Sequence, residues 1–161
     1  MSTEMNSRYV VVPRTLCFVF FEDDVLLIKR SPLRRLFPNK INGLGGHVER
    51  DEDVYGAAAR EIKEEAGITV TDLWLAGVVN VDGALGQADP LANRGYPGVM
   101  IFVFTAQTNG HDVQASDEGE LLWVSLMDVV DLDWVDGDPG LLHQAIKARQ
   151  TGRLFFSYKG F

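Results

Sequence analysis

Glu61, Glu64 and Glu65 are the residues of this chain whose type and spacing most clearly suggest chemistry. An α-helix turns by about 100° per residue, so side chains at positions i, i+3 and i+4 share one face and these carboxylates would lie close together. Such like charges repel one another, and the helix dipole disfavours anions at the C-terminal end of a helix. A divalent cation relieves both effects, and hard carboxylate oxygens suit Mg²⁺ or Mn²⁺. The spacing therefore predicts a site for such an ion.

The same glutamates also fit a simpler interpretation, a solvated acidic helix face with Arg60 and Lys63 as local ion-pair partners. The segment before the helix favours a functional site, because Asn42–Gly46 contains three glycines. Glycine permits backbone conformations with positive φ and lets the backbone approach a ligand closely. Backbone groups of this turn are therefore candidates for contacts with a metal ion or a phosphate.

A helix over Glu52–Ala66 must position the glutamates. Its apolar residues recur at helical spacing, which predicts one buried face. That face comprises Tyr55, Ala58, Ala59, Ile62 and Ala66. Asp51 or a residue beside it is expected to cap the start of the helix, and Gly67 is expected to end it. The glutamates would then flank the buried face rather than oppose it.

The rest of the chain contains several β-branched, apolar segments, which predict strands. One further segment has helical periodicity and predicts a second helix. The predicted strands are Tyr9–Phe21, Val25–Lys29, Trp74–Val81, Gly98–Gln107, Glu120–Ser125 and Leu154–Tyr158, and the second helix is Pro139–Gln150. Because strands and helices are interspersed, we expect an α/β fold with helices on both faces of a mixed sheet. The long loop Asp82–Pro97 fits either a functional loop or a disordered insertion.

Length and composition limit the classes of protein to which this chain can belong. The 161 residues predict a single domain over residues 1–161. A net charge of −8 disfavours binding to extended nucleic acid, and no apolar run is long enough to span a membrane. Cys17 is the only cysteine, which excludes an internal disulfide and, with the polar segment Met1–Arg8, favours a cytoplasmic location. The oligomeric state stays open, a homodimer included.

The segment Gly46–Ile68 resembles the signature of the Nudix hydrolases, G-x5-E-x7-R-E-U-x-E-E-x-G-U, where U is aliphatic. All nine specified positions match, and they are Gly46, Glu52, Arg60, Glu61, Ile62, Glu64, Glu65, Gly67 and Ile68. The resemblance implies the α/β/α sandwich of that family, with a mixed sheet between helices. It also implies Mg²⁺-dependent hydrolysis of a phosphoanhydride bond in a nucleotide, with Mn²⁺ as a substitute ion.

The resemblance further implies roles for individual residues. The metal ligands would be the carbonyl oxygen of Gly45 and the carboxylates of Glu61, Glu64 and Glu65. Arg60 would orient these glutamates by ion pairing, and Glu52 would hold Arg60 in place.

Many members of the family take a further carboxylate from a later loop. In this chain Ser116-Asp117-Glu118 precedes the strand that contains Trp123, and it is the natural position for such a group. Glu118 is the better candidate for a metal-binding or catalytic carboxylate, and a solvated turn is the alternative.

Part of the chain is similar to one branch of the family, the 8-oxo-dGTP diphosphatases. The stretch INGLGGHVE resembles their WNGFGGKVE, which makes Asn42 a candidate for contact with the base, although Asn before Gly is also an ordinary turn. Arg30 is a candidate for phosphate or base contact, and an ordinary surface arginine is the alternative. Trp134 and Asp136 resemble part of that branch's Trp-Pro-Asp-Asp segment, but Val135 replaces the proline and Gly137 the second aspartate.

Three hypotheses follow from the sequence. The first is hydrolysis of a nucleoside triphosphate to the monophosphate and pyrophosphate, with oxidised purines such as 8-oxo-dGTP among the candidate substrates. The second is a Nudix enzyme for another nucleoside diphosphate derivative, such as ADP-ribose or a dinucleoside polyphosphate. The third is a non-catalytic nucleotide-binding Nudix domain, which the intact Arg60-Glu61 and Glu64-Glu65 pairs disfavour.

Overall fold

A computed structural model describes residues 9–82 and 97–160 of the chain. The strands are β1 (Val11–Phe21), β2 (Asp24–Arg30), β3 (Ile41–Asn42), β4 (Trp74–Val81), β5 (Gly98–Gln107), β6 (Gly119–Ser125) and β7 (Phe155–Lys159). The helices are α1 (Val54–Ala66) and α2 (Gly140–Thr151), with a short 3₁₀ helix at Val129–Asp131. The predicted loop Asp82–Pro97 lies outside the described residues except at its two ends. No helix within the described ranges is long and apolar enough to cross a membrane.

The strands form one mixed sheet in the order β3-β2-β1-β5-β4-β7, and β6 pairs with β2. Strand β1 runs parallel to β5, and β4 runs parallel to β7. The pairs β1–β2, β2–β3, β2–β6 and β4–β5 are antiparallel. The first two predicted strands form an antiparallel hairpin, and the expected mixed sheet is confirmed.

Two cores lie on opposite faces of this sheet, because successive residues of a strand point to opposite sides. Along β1, Cys17 and Val19 pack in a cluster with Ile62 of α1. Leu16 and Phe18 point the other way, into a cluster that contains Leu142 and Ala145 of α2. The expected α/β/α sandwich is therefore confirmed, with one helix covering each face.

The ends of α1 follow from local chemistry. Asp53 caps the first turn, with its carboxylate Oδ1 accepting from the N–H of Gly56 at 2.7 Å. The helix therefore begins slightly later than the predicted Glu52, and its cap lies two positions beyond Asp51. Gly67 ends the helix in the left-handed region, with φ of 71°, as the sequence indicates.

Arg149, near the end of α2, joins that helix to the sheet. Its guanidinium donates to Oδ2 of Asp72 and to Oγ1 of Thr105, each at 2.9 Å, and it lies over the ring of Trp74. Thr105 is buried, so loss of its donor leaves a polar atom without a partner. We expect Arg149→Met to lower the free energy of unfolding by about 2 kcal/mol in urea denaturation. The matched change at exposed Arg153 should alter it by less than about 0.5 kcal/mol, and equal effects would contradict the assignment.

Candidate active site

Helix α1 presents its three glutamates to different environments. The side chain of Glu64 is 58% exposed and that of Glu61 is 14% exposed. Glu65 is only 5% exposed, which is unusual for an acidic residue. The gradient follows from the helix, since Glu65 lies nearest the apolar face that carries Ile62 and Ala66. The carboxylates therefore flank the buried face, as the sequence predicts.

The glycine-rich turn lies against β1 because no side chain fits there. Gly45 has φ of 146°, and a Cβ atom on it would lie 2.1 Å from the carbonyl oxygen of Thr15. A Cβ atom on Gly46 would lie 2.5 Å from Oε1 of Glu61. The backbone N–H of Gly45 donates to Oε2 of Glu65 at 3.1 Å. The glycines thus bring the backbone within contact distance of two of the predicted metal ligands.

Arg60 connects the signature residues. It forms a bidentate pair with Glu52, with its Nη2 at 2.6 Å from Oε1 and its Nε at 3.0 Å from Oε2. Its Nη1 donates to Oε1 of Glu61 at 3.0 Å and to Oε2 of Glu64 at 3.1 Å, and its Nη2 donates to the carbonyl oxygen of His47. The hydrogen bonds from Arg60 lower the pKa of Glu52 to about 2, so that carboxylate stays charged. These contacts are the ones that the predicted roles of Arg60 and Glu52 require.

Glu65 is held in a position that disfavours its charge. Its pKa is raised from the ordinary 4.5 to about 7, mainly by burial and also by the negative charge of Glu61, while the hydrogen bond from Gly45 acts in the opposite direction. A bound cation would reverse this balance. Hard oxygens, a buried carboxylate and a neighbouring second carboxylate therefore fit a divalent ion.

The glutamates do not converge on one point in this arrangement. Within residues 9–82 and 97–160, no group of three His, Cys, Asp or Glu side chains is arranged to hold a metal ion. Glu64 instead contacts Arg60. No described residue donates a hydrogen bond to the carbonyl oxygen of Gly45, which leaves that oxygen available to a ligand. A metal site built on all three glutamates would require the exposed side chain of Glu64 to turn away from Arg60.

Glu118 is connected to the glutamate site through an ion pair with Arg34. Its carboxylate contacts the guanidinium of Arg34, and the charge of Arg34 acts on Glu65. The loop of Glu118 also borders a cleft of about 410 Å³. The lining residues are Lys29, Arg30, Ser31, Pro32, Asn39, Ser116, Asp117, Gly119 and Glu120. The structure thus brings the loop of Glu118 to the glutamate side of the molecule.

Arg30 lies at the end of β2, where its Nε donates to the carbonyl oxygen of Leu36 at 3.1 Å. Burial and the neighbouring charges of Arg34 and Arg14 lower its pKa, whereas Glu65 raises it. Arg30 therefore lies within electrostatic range of the glutamates and also lines the cleft.

The remaining candidates for base contact occupy other environments. The side-chain Oδ1 of Asn42, which lies in β3, accepts from the N–H of Gly43. Trp134 is 4% exposed in the core on the α2 side, and its indole N–H donates to the carbonyl oxygen of Val129 at 2.7 Å. Asp136 pairs with Lys159. The structure thus does not bring Trp134 beside the glutamates, and base contact by these residues stays a prediction.

Sequence reasoning missed Arg14. This residue lies in β1, is half-buried, and experiences the charges of both Glu61 and Glu65. The sequence does contain an indication of a functional role for this residue, because an arginine interrupts the apolar strand VVPRTLCFVFF. A buried strand rarely contains an unpaired cation without a reason.

Comparisons with known proteins agree with this geometry. The NUDIX domain family profile matches residues 11–145. An uncharacterized Nudix hydrolase of Bacillus subtilis, YvcI, is 29% identical over 145 residues, which cover 89% of this chain and 85% of that protein. A putative 8-oxo-dGTP diphosphatase 2 of Mycobacterium tuberculosis is 34% identical over 96 residues, 60% of this chain and 61% of that protein. The crystal structure of a MutT protein from Bacillus halodurans superposes with a TM-score of 0.69 at 25% identity, covering 92% of this chain and 91% of the other.

Proposed function

Because this chain belongs to the Nudix family, we propose that it hydrolyses a nucleoside triphosphate to the monophosphate and pyrophosphate, with Mg²⁺ as its cofactor. The broader activity follows from the family: the chain is a pyrophosphohydrolase that acts on small nucleotide derivatives. The observation that carries the proposal is the buried carboxylate of Glu65 beside Glu61 and the Gly45–Gly46 turn. We also propose that residues 1–161 act as one catalytic domain in the cytoplasm.

Two features support a triphosphate as the substrate. The stretch around Asn42 resembles that of the 8-oxo-dGTP diphosphatases, and a relative with that putative activity is 34% identical over its matched region. Arginines at positions 14, 30 and 34 lie near the glutamates and would attract a polyanion in a chain whose net charge is −8. Oxidised purines such as 8-oxo-dGTP are the first candidates within this class.

The chain's own groups have separable tasks. Glu61, Glu64, Glu65 and the carbonyl oxygen of Gly45 would hold Mg²⁺. The ion, when bound, neutralises charge on the phosphate oxygens and lowers the pKa of water. Arg60 fixes Glu61 and is fixed by Glu52. Glu118 or Glu64 accepts the proton of the attacking water, and the α–β anhydride bond breaks as the new P–O bond forms.

Product identification tests the proposal directly. The purified protein is incubated with Mg²⁺ and a panel of dGTP, 8-oxo-dGTP, ADP-ribose and dinucleoside polyphosphates, and the products are resolved by ³¹P NMR. We expect monophosphate and pyrophosphate from a triphosphate, with faster turnover of the oxidised purine than of dGTP. Release of orthophosphate, or turnover confined to ADP-ribose or dinucleoside polyphosphates, would contradict the proposal. Tight nucleotide binding without turnover of any compound would favour the non-catalytic alternative.

A further inference from the structure

We propose that Arg14 binds the phosphate groups of the substrate and so positions the scissile anhydride beside Glu61 and Glu65. The inference rests on the proposed function and extends it to a residue outside the Nudix signature. The ligand it implies is any diphosphate-containing compound, because the arginine would contact phosphate oxygens rather than a base.

The backbone places Arg14 beside the glutamate site. The β1 segment at Arg14 bridges to His47, and the N–H of Thr15 donates to the carbonyl oxygen of Gly46 at 2.8 Å. Gly46 is the residue on which an added Cβ atom would meet the carboxylate of Glu61. Arg14 is therefore fixed by sheet pairing next to the turn that contacts the predicted metal ligands.

The guanidinium of Arg14 has no partner among the described residues. It makes no hydrogen bond and no ion pair with a described side chain, although Glu61 and Glu65 act on it electrostatically. Holding a half-buried guanidinium without a hydrogen-bonded partner is costly for folding. Its five N–H donors therefore remain available to an anion that enters beside the glutamates.

The other arginines nearby each have at least one partner. Arg34 pairs with Glu118, and the Nε of Arg30 donates to the carbonyl oxygen of Leu36. Arg14, Arg30 and Arg34 lie close enough to repel one another. A bound anion would reduce the repulsion among these three positive charges. Among the three arginines, Arg14 is the one whose N–H donors have no partner within the described residues.

Affinity for inorganic pyrophosphate tests the inference without requiring turnover. Calorimetric titration of pyrophosphate in saturating Mg²⁺ is compared for the native chain, Arg14→Gln, Arg14→Lys and the exposed control Arg153→Gln. We expect the Kd to rise about 30-fold in Arg14→Gln, with partial recovery in Arg14→Lys and no change in the control, because one charge-assisted contact is lost. In parallel, kcat/KM for a hydrolysed nucleotide should fall by a similar factor.

The competing explanation is that Arg14 only screens the glutamates. In that case Arg14→Gln would bind Mg²⁺ more tightly than the native chain and would bind pyrophosphate equally well, which would overturn the inference. Absence of pyrophosphate binding by the native chain would overturn it as well. If no nucleoside triphosphate is hydrolysed but the pyrophosphate affinity still depends on Arg14, the substrate assignment fails and the inference stands. Thermal melting of each variant shows whether a loss of affinity reflects unfolding.

Discussion

The Glu65→Gln variant should lose about 10³-fold in kcat, equivalent to about 4 kcal/mol of barrier, while becoming more stable than the native chain at pH 8 without divalent ions. Activity falls because the amide removes the charge of the most buried predicted metal ligand. Stability rises because the native carboxylate must ionise in a buried position. The two effects have opposite signs, which a merely structural glutamate would not produce.

The pH dependence of stability follows from the raised pKa of Glu65, about 7 against an ordinary 4.5. The folded state holds this proton more tightly than the unfolded state, so the stabilisation is complete below about pH 4.5. It is lost as the pH rises to about 7 and stays lost above that value. Each pKa unit corresponds to about 1.4 kcal/mol, so the rise in the pKa of Glu65 corresponds to a loss of about 3 kcal/mol in the free energy of unfolding. We expect Mg²⁺ to restore much of it at pH 8.

Urea denaturation at pH 5 and pH 8, with and without Mg²⁺, measures these effects, and steady-state kinetics measure kcat. The control is Glu22→Gln, which removes the same charge from the exposed turn between β1 and β2. Its stability profile and activity should match those of the native chain. The assignment of Glu65 fails if Glu65→Gln keeps most of its Mg²⁺-dependent rate, or if Mg²⁺ stabilises it as strongly as it stabilises the native chain.

Local patterns account for most of the architecture. The predicted strands Trp74–Val81 and Gly98–Gln107 match β4 and β5 residue for residue. Alternating apolar residues specify a strand wherever one face is buried, and the helical spacing from Tyr55 to Ala66 specifies α1. The nine-position signature locates the glutamates because every one of its spacings is local.

The parts that sequence reasoning did not reach depend on contacts between distant segments. The approach of Arg14 to the glutamates requires β1 to lie against the glycine turn, which no local pattern specifies. The burial of Trp134 depends on the pairing of its segment with Ile41. The two-residue strand β3 exists only through its pairing with β2. In each case the partner lies beyond the reach of a local sequence pattern, so the pairing is a property of the fold.

Gly46→Ala should lower kcat by about 10²-fold with a change of less than about 1 kcal/mol in the free energy of unfolding. The added Cβ would lie 2.5 Å from Oε1 and 2.7 Å from Cδ of Glu61, so that carboxylate must move. A flexible side chain can rotate away at low cost, but a shift of about 1 Å in a catalytic group costs about 10²-fold in rate. Steady-state kinetics and urea denaturation measure the two quantities.

Two other glycines provide the comparison that makes this result informative. Gly45→Ala places a Cβ against the Thr15 backbone at a positive φ, so we expect a loss of about 3 kcal/mol in stability as well as activity. Gly110→Ala meets nothing within 4 Å and should change neither quantity. If Gly46→Ala is as active as Gly110→Ala, Glu61 does not need its present position for catalysis. If Gly46→Ala unfolds as readily as Gly45→Ala, Gly46 is required mainly for the stability of the fold and not specifically for the position of Glu61.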